Sequence, residues 1–300
     1  MDSPHTGTAT TEGATLTAVD FGLKGPRGWA FRGVELTAPA GSFVAIEGPS
    51  GSGRTCLLLA LTGRMRATEG HAEVGGLRLP KKLAAVRRIS ALGPVAGVND
   101  LDPAYTVAEH LRERALLQRR FDGSLRSLLQ RPSVRRAAAR ARIDAAMAAV
   151  GLDLASLPKG ERTSVRDLER LEGLRLSLGL ALMCGPRLLA VDDADLKLSD
   201  AEREQAWELL RSVADSGTTV LAVCSEPPED ALRVRVGDVR EEPAQEVEHD
   251  VRPAQDVEHD VKPAQDTKHE AKPAQDTKHD LKKDTTEEGA ADALAETGRS

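Results

Sequence analysis

The stretch "GPSGSGRT", residues 48–55, decides how the rest of the chain is read. It follows the phosphate-cradling pattern G-x-x-x-x-G-K-[ST] at Gly48, Gly53 and Thr55, with a further glycine at Gly51. Arg54 stands where the pattern has lysine. The flanks fit the chemistry. "SFVAI" (42–46) is a short apolar run that reads as a buried strand, and "TCLLLALTG" (55–63) reads as the helix that follows the loop. In that strand–loop–helix order, backbone N–H groups turn inward around phosphate oxygens and the helix N-terminus adds its positive end. Gly48, Ser50, Gly51, Ser52, Gly53, Arg54, Thr55 and Cys56 are therefore the candidate nucleotide contacts, and the Thr55 hydroxyl is a candidate Mg²⁺ ligand. Arginine keeps the charge of lysine but is a planar fork, so the swap is not conservative.

Working outward, "ATLTAVDFGL" (14–23) and "VELTAPAGSFVAIEG" (34–48) alternate like strands, and "HAEVGGLRLP" (71–80) reads as a hairpin. Residues 104–183 read as helical, rich in Ala, Leu and Arg. Strand, helix and strand return in "PRLLAV" (186–191), "SDAEREQAWELLRSVADSG" (199–217) and "TTVLAV" (218–223). Strands alternating with helices indicate a parallel sheet with helices packed on it. The strand "LLAVDD" ends in Asp192 and Asp193. There a phosphate-loop fold keeps its magnesium-side carboxylate, Asp192, followed by a residue placed to position an attacking water, Asp193.

Composition sets the limits. Hydrophobic residues make up 40% of the 300, but aromatics only 2%, so the core is expected from Leu, Val and Ala. Cys56, Cys184 and Cys224 form no C-x-x-C pair and read as reduced thiols of a reducing cytoplasm. The start, "MDSPHTGTATTEG", carries no basic-then-apolar leader, and no apolar run reaches membrane-spanning length.

The formal net charge of -6 is uneven. Residues 241–300 carry 17 acidic and 8 basic side chains, whereas the remainder is net +3. The acidic end is a decapeptide repeat with proline every ten residues, too poor in apolar groups to offset the entropy of folding. Residues 237–300 are thus expected to be disordered, with His249, His259, His269 and His279 solvated. Residues 1–13 are expected to be flexible, leaving one folded unit over 14–236. Residues 111–145 hold ten arginines against three acids and one aromatic, Phe121. So few stacking rings argue against nucleic acid and leave a solvated face, anionic lipid or an acidic partner, the tail included.

With "GPSGSGRT", "GPRLLAVDD", "TTVLAV" and a helical insertion in this order, the chain resembles an ATP-binding cassette (ABC) nucleotide-binding domain across 14–236. The resemblance implies an α/β fold: a P-loop NTPase core, an antiparallel β-subdomain and an inserted helical subdomain at about 96–183. It also implies ATP and Mg²⁺, a homo- or heterodimer, and a separately encoded integral membrane protein to which the subunit is peripheral at the inner face.

The family's motifs carry over unevenly. Its LSGGQ signature falls on "LERLE" (168–172), where Ser164 with Asp167 also reads as a capping box opening a helix that carries Val165, Leu168, Leu171, Leu178 and Leu182. The catalytic glutamate falls on Asp193, and the switch histidine on Ser225 in "VCSEP". The D-loop aspartate falls on Ser199, which with Glu202 reads as a capping box. The Q-loop glutamine falls near Pro94, and the adenine-stacking aromatic on Trp29, which reads equally as packing in the β-subdomain. These replacements imply weak or absent hydrolysis. Two alternatives stay open: a pseudo-ATPase acting as a regulatory or scaffolding module for a membrane partner, and a soluble P-loop phosphotransferase.

Overall fold

The computed structural model describes residues 12–121 and 131–237. The readings of the N-terminal segment, of the tail with its four histidines, and of part of the arginine-rich helical stretch lie outside these residues.

Two sheets organise the chain. The antiparallel sheet has strand order β2–β1–β4–β5, from β1 (Leu16–Gly25), β2 (Gly28–Ala38), β4 (Glu69–Val74) and β5 (Leu77–Leu79). The parallel sheet has order β6–β7–β8–β3–β9, from β3 (Phe43–Glu47), β6 (Ser90–Leu92), β7 (Leu188–Val191), β8 (Thr219–Val223) and β9 (Leu232–Arg235). The helices are α1 (Arg54–Leu61), α2 (Leu83–Ile89), α3 (Val107–Phe121), α4 (Pro132–Ala149), α5 (Arg170–Leu182) and α6 (Asp200–Asp215). The hairpin expected in 71–80 is β4–β5, paired Val74 to Leu77.

The run "FVAI" is apolar throughout because β3 is covered on both faces. Val44 and Ile46 pack with α1 and the antiparallel sheet, while Phe43 and Ala45 pack with α5 and α6. Neighbours repeat the split: Leu188, Ala190, Leu221 and Val223 face one way, and Leu189, Val191, Val220 and Ala222 the other. In-register parallel pairing of Phe43 with Val220 and of Leu188 with Thr219 brings the C-terminal ends of β3, β7 and β8 to one edge. Loops 48–53, 192–199 and 224–227 leave from that edge, which is where open α/β sheets bind ligands.

The capping box read at Ser164 and Asp167 does not open a helix. Thr163, Ser164 and Val165 are fastened to the start of α3: Val107 N–H donates to Thr163 O at 3.0 Å and Val165 N–H to Tyr105 O at 2.9 Å. The Ser164 hydroxyl donates to Pro103 O. Only one 3₁₀ turn follows, Val165–Asp167, and the chain is extended again at Leu168. Helix α5 starts at Arg170, capped by Glu169 with Glu172, whose carboxylate accepts from Glu169 N–H at 2.9 Å. Val165 and Leu168 thus lie outside the helix, and only the later leucines belong to it. The box at Ser199 and Glu202 does form, and opens α6.

Candidate nucleotide site

Loop 48–53 leaves β3 and turns into α1 with three glycines at positive φ: Gly48 at 153°, Gly51 at 83° and Gly53 at 89°. Two of them are fixed by close approach. A Cβ on Gly53 would fall 1.8 Å from Ala30 O on β2, and one on Gly48 would fall 2.4 Å from Val236 O. Gly51 is different, since a Cβ there meets nothing within 4 Å. The loop is therefore packed on its protein side and open on its outer side, as a cradle for an anion requires.

The two candidate metal-side residues come together. Thr55 Oγ1 donates to Asp192 Oδ2 at 2.8 Å, from the first turn of α1 to the end of β7. Asp192 is 7% exposed, and its other oxygen, Oδ1, is buried without a hydrogen-bond partner. Burial pushes the Asp192 carboxyl up; the Thr55 hydrogen bond opposes this and the Asp193 charge adds to it. An oxygen-only pair with an orphaned, desolvated acceptor suits a hard divalent cation that keeps several waters, so these residues fit Mg²⁺. Ser52 Oγ, in the cradle itself, is also buried and unpartnered.

Arg54 points across the site. Its Nη1 donates to Cys224 O at 3.1 Å, and its Nη2 lies 4.0 Å from Asp193 Oδ1. Asp193 is partly exposed and takes a positive φ of 45°, which aspartate tolerates better than most residues. Ser225 follows Cys224 on an exposed turn, so Arg54, Asp193 and the 224–226 turn form one group. Cys56, half-buried in α1, has its thiol pushed up by burial and then by Asp192.

Trp29 adjoins the cradle through Ala30, yet its ring is occupied. The Arg32 guanidinium lies 4.7 Å from the ring centroid and Lys24 Nζ 5.4 Å, while the Cζ3 edge lies against Gly22. Pro94 reaches Asp192 by the backbone, accepting from its N–H at 3.0 Å. A cleft of about 330 Å³ joins Pro94, Asp192 and Asp193 to Glu169 and Arg170 at the start of α5. Sequence reasoning missed Asp195, whose carboxylate accepts from the backbone N–H of Ser225 and of Glu226. A lone aspartate after a strand carries no pattern that would have found it.

Residues 31–195, more than half of the chain, match the family model described as ABC transporter. The chain belongs to the ABC transporter family. Its fold is the ABC cassette, with an antiparallel β-subdomain beside a parallel P-loop sheet. The chain is 30% identical over 183 residues to a Nod factor export ATP-binding protein I of Neorhizobium galegae, covering 61% of this chain and 46% of that one. It is 31% identical over 193 residues to a daunorubicin resistance ATP-binding protein of Streptomyces coeruleorubidus, covering 64% and 54%. These matches span about half the length of those relatives. Among solved structures, a dimeric bacterial ABC transporter cassette aligns with TM-score 0.57 at 21% identity, covering 74% of this chain and 94% of that one. An Atm1-family ABC exporter with ATP bound aligns with TM-score 0.54 at 22% identity, covering 75% of this chain and 37% of that one. At these identities the structural likeness concerns the fold. Among the described residues no helix is long and apolar enough to cross a membrane.

Proposed function

We propose that this chain is the ATP-binding subunit of an ABC-type transporter, that it binds Mg-ATP, and that it hydrolyses ATP slowly or not at all. The observation that carries the binding half is the Thr55–Asp192 pair beside an open glycine cradle, with Asp192 Oδ1 buried and unpartnered. In this reading the backbone N–H groups of 51–55 and the Arg54 fork hold the phosphates. Thr55 and Asp192 would hold the cation. Bound there, Mg²⁺ would neutralise charge on the phosphate oxygens.

The hydrolytic half reads differently. Asp193 carries its carboxylate one methylene short of a glutamate. Ser225 has neither the reach nor the charge of an imidazole. The segment matched to the family's signature opens α5 with a carboxylate cap, Glu169, which places negative charge where a helix N-terminus would otherwise favour phosphate. In phosphoryl transfer positioning is most of the catalysis, and a misplacement of about 1 Å can cost about 100-fold.

The printed role of one relative, Nod factor export, favours export as the direction of transport. The partner is then a separately encoded integral membrane protein, with the subunit cytoplasmic at the inner face. Pairing is a hetero- or homodimer, and a heterodimer partner with an intact signature would supply what Glu169 replaces. The domain proposed for this role is 14–236, with its helical subdomain at about 96–183. The second reading, a pseudo-ATPase serving as a regulatory or scaffolding module, is favoured by one observation: Arg54 is already committed to Cys224 O and near Asp193.

Calorimetric titration tests the first reading. Mg-ATP is expected to bind at or below millimolar concentration, more weakly without Mg²⁺, and more weakly still to Arg54→Ala. A folded protein that binds no Mg-ATP at millimolar concentration overturns it in favour of the second.

A further inference from the structure

The turn that carries Ser225 is held by its backbone from two sides. Strand β8 ends at Val223, whose carbonyl accepts from Ala194 N–H, in the loop after β7, at 2.9 Å. Just beyond, that loop holds the turn by a side chain. The Asp195 carboxylate oxygen Oδ2 accepts from Ser225 N–H at 2.8 Å and from Glu226 N–H at 2.9 Å. The remaining polar group at the head of the turn, Cys224 O, accepts from Arg54 at 3.1 Å. Cys224 N–H donates to Ile46 O at 3.2 Å, which seats the turn on β3, the strand that leads into the phosphate cradle. Three consecutive residues, Cys224, Ser225 and Glu226, thus hang from two charged side chains of opposite sign. One belongs to the cradle and the other to the loop after β7.

We propose that Asp195 and Arg54 form a two-sided clamp on the 224–226 turn, and that phosphate and Cys224 O compete for Arg54, so that a bound nucleotide releases one side of the clamp. Asp195 is a positioning residue: it touches neither cradle nor metal-side oxygens, and acts by fixing where Ser225 sits. The coupling rests on the nucleotide-binding reading above, since only an anion in the cradle can draw the fork away. Arginine suits the task because its planar fork has donors enough to turn from a carbonyl to a phosphate, and each state is a charge-assisted or directed hydrogen bond. The two successive backbone N–H groups of Ser225 and Glu226 form a small anion nest for the Asp195 carboxylate, which holds the turn when Arg54 has left.

The test is amide hydrogen exchange of the full chain, read at Ser225 and Glu226, with and without Mg-ATP, for the unchanged protein and for Asp195→Ala and Asp195→Asn. Calorimetry on the same samples records whether nucleotide is bound. Without nucleotide, Asp195→Ala is expected to speed exchange at both amides by roughly tenfold or more while β3 and β8 stay protected. Asp195→Asn, whose side-chain oxygen can still accept, is expected to recover part of that protection. In the unchanged protein, bound Mg-ATP is expected to speed exchange at the turn severalfold, and in Asp195→Ala that response is expected to grow, because both sides of the clamp are then gone. Equal exchange at 225 and 226 in the unchanged protein and Asp195→Ala overturns the clamp. A turn indifferent to nucleotide shown to be bound overturns the competition for Arg54. A nucleotide response no larger in Asp195→Ala than in the unchanged protein overturns the two-sided clamp. If calorimetry shows no binding, the nucleotide-binding reading fails and the competition with it, while the nucleotide-free exchange still decides the Asp195 half.

Discussion

The loop at 48–55 and the helix start at 168–172 both carry segments that the family uses on phosphate, and they differ in what they leave open. The loop is packed tightly underneath, by Ala30 O below Gly53 and Val236 O beside Gly48, and is empty above Gly51. The helix start is closed on itself: the Glu172 carboxylate accepts from Glu169 N–H, so the end of α5 that a phosphate would approach already holds a carboxylate. Both are helix N-termini with the same dipole, but one opens on glycine backbone and the other carries a carboxylate of its own cap. On the function proposed above, the holding half of a nucleotide site is kept while its closing half is given over to helix capping.

The largest expected effect is on the cradle. Gly53→Val forces a side chain into Ala30 O at a positive φ, and is expected to abolish Mg-ATP binding in calorimetry and to destabilise the fold by about 3 kcal/mol or more, read as a lower denaturation midpoint. Retained affinity would show that the loop does not hold the nucleotide. Next comes the metal-side pair. Thr55→Ala is expected to cost about 10- to 100-fold in Mg-dependent affinity and to leave Mg-free binding nearly unchanged, since it removes one oxygen ligand and not the cradle.

How far these contrasts were legible in the sequence depends on whether local pattern and tertiary fastening agree. The run "SFVAI" gave β3 because burial on two faces removes alternation, and "GPSGSGRT" gave the loop because close approach demands glycine. Ser199 with Glu202 gave the start of α6, since nothing else competes for that serine. Ser164 with Asp167 has a similar spacing but misleads, because Tyr105 O takes Val165 N–H and Pro103 O takes the Ser164 hydroxyl. Those partners lie about sixty residues away, beyond any local window. The segment that holds those partners carries a local signal of its own: Thr106 with Glu109 caps α3, the carboxylate accepting from Thr106 N–H at 2.7 Å. Strands β6 and β9, of three and four residues, are too short to show a period. The direction of Arg54 and the role of Asp195 were not legible, since both act on the backbone of a turn, which has no residue code.

Two smaller effects sharpen the comparison. Ser199→Ala is expected to cost about 1 kcal/mol of stability, with Mg-ATP affinity unchanged, because that cap lies on a helix outside the cradle. Thermal denaturation and titration of one sample check both. The cysteines give the smallest readout. Burial, and then the Asp195 charge, push the Cys224 thiol up to about 12, whereas Cys184 is exposed. At pH 8 an alkylating reagent is expected to label Cys184 and leave Cys224 a protonated, unreactive thiol until the chain unfolds. Early labelling of Cys224 would mean that the end of β8 opens on its own.

The central claim is that the holding half works and the hydrolysing half does not. The direct measurement is the identity of the nucleotide that the purified chain retains after incubation with Mg-ATP, resolved by chromatography over a time course. The account predicts nucleotide bound at about one per chain and recovered as ATP, with phosphate release far below a typical enzymatic turnover of about 10 per second. Retained ADP with stoichiometric phosphate, lost on Asp193→Asn, would contradict it and show Asp193 to be a working catalytic carboxylate.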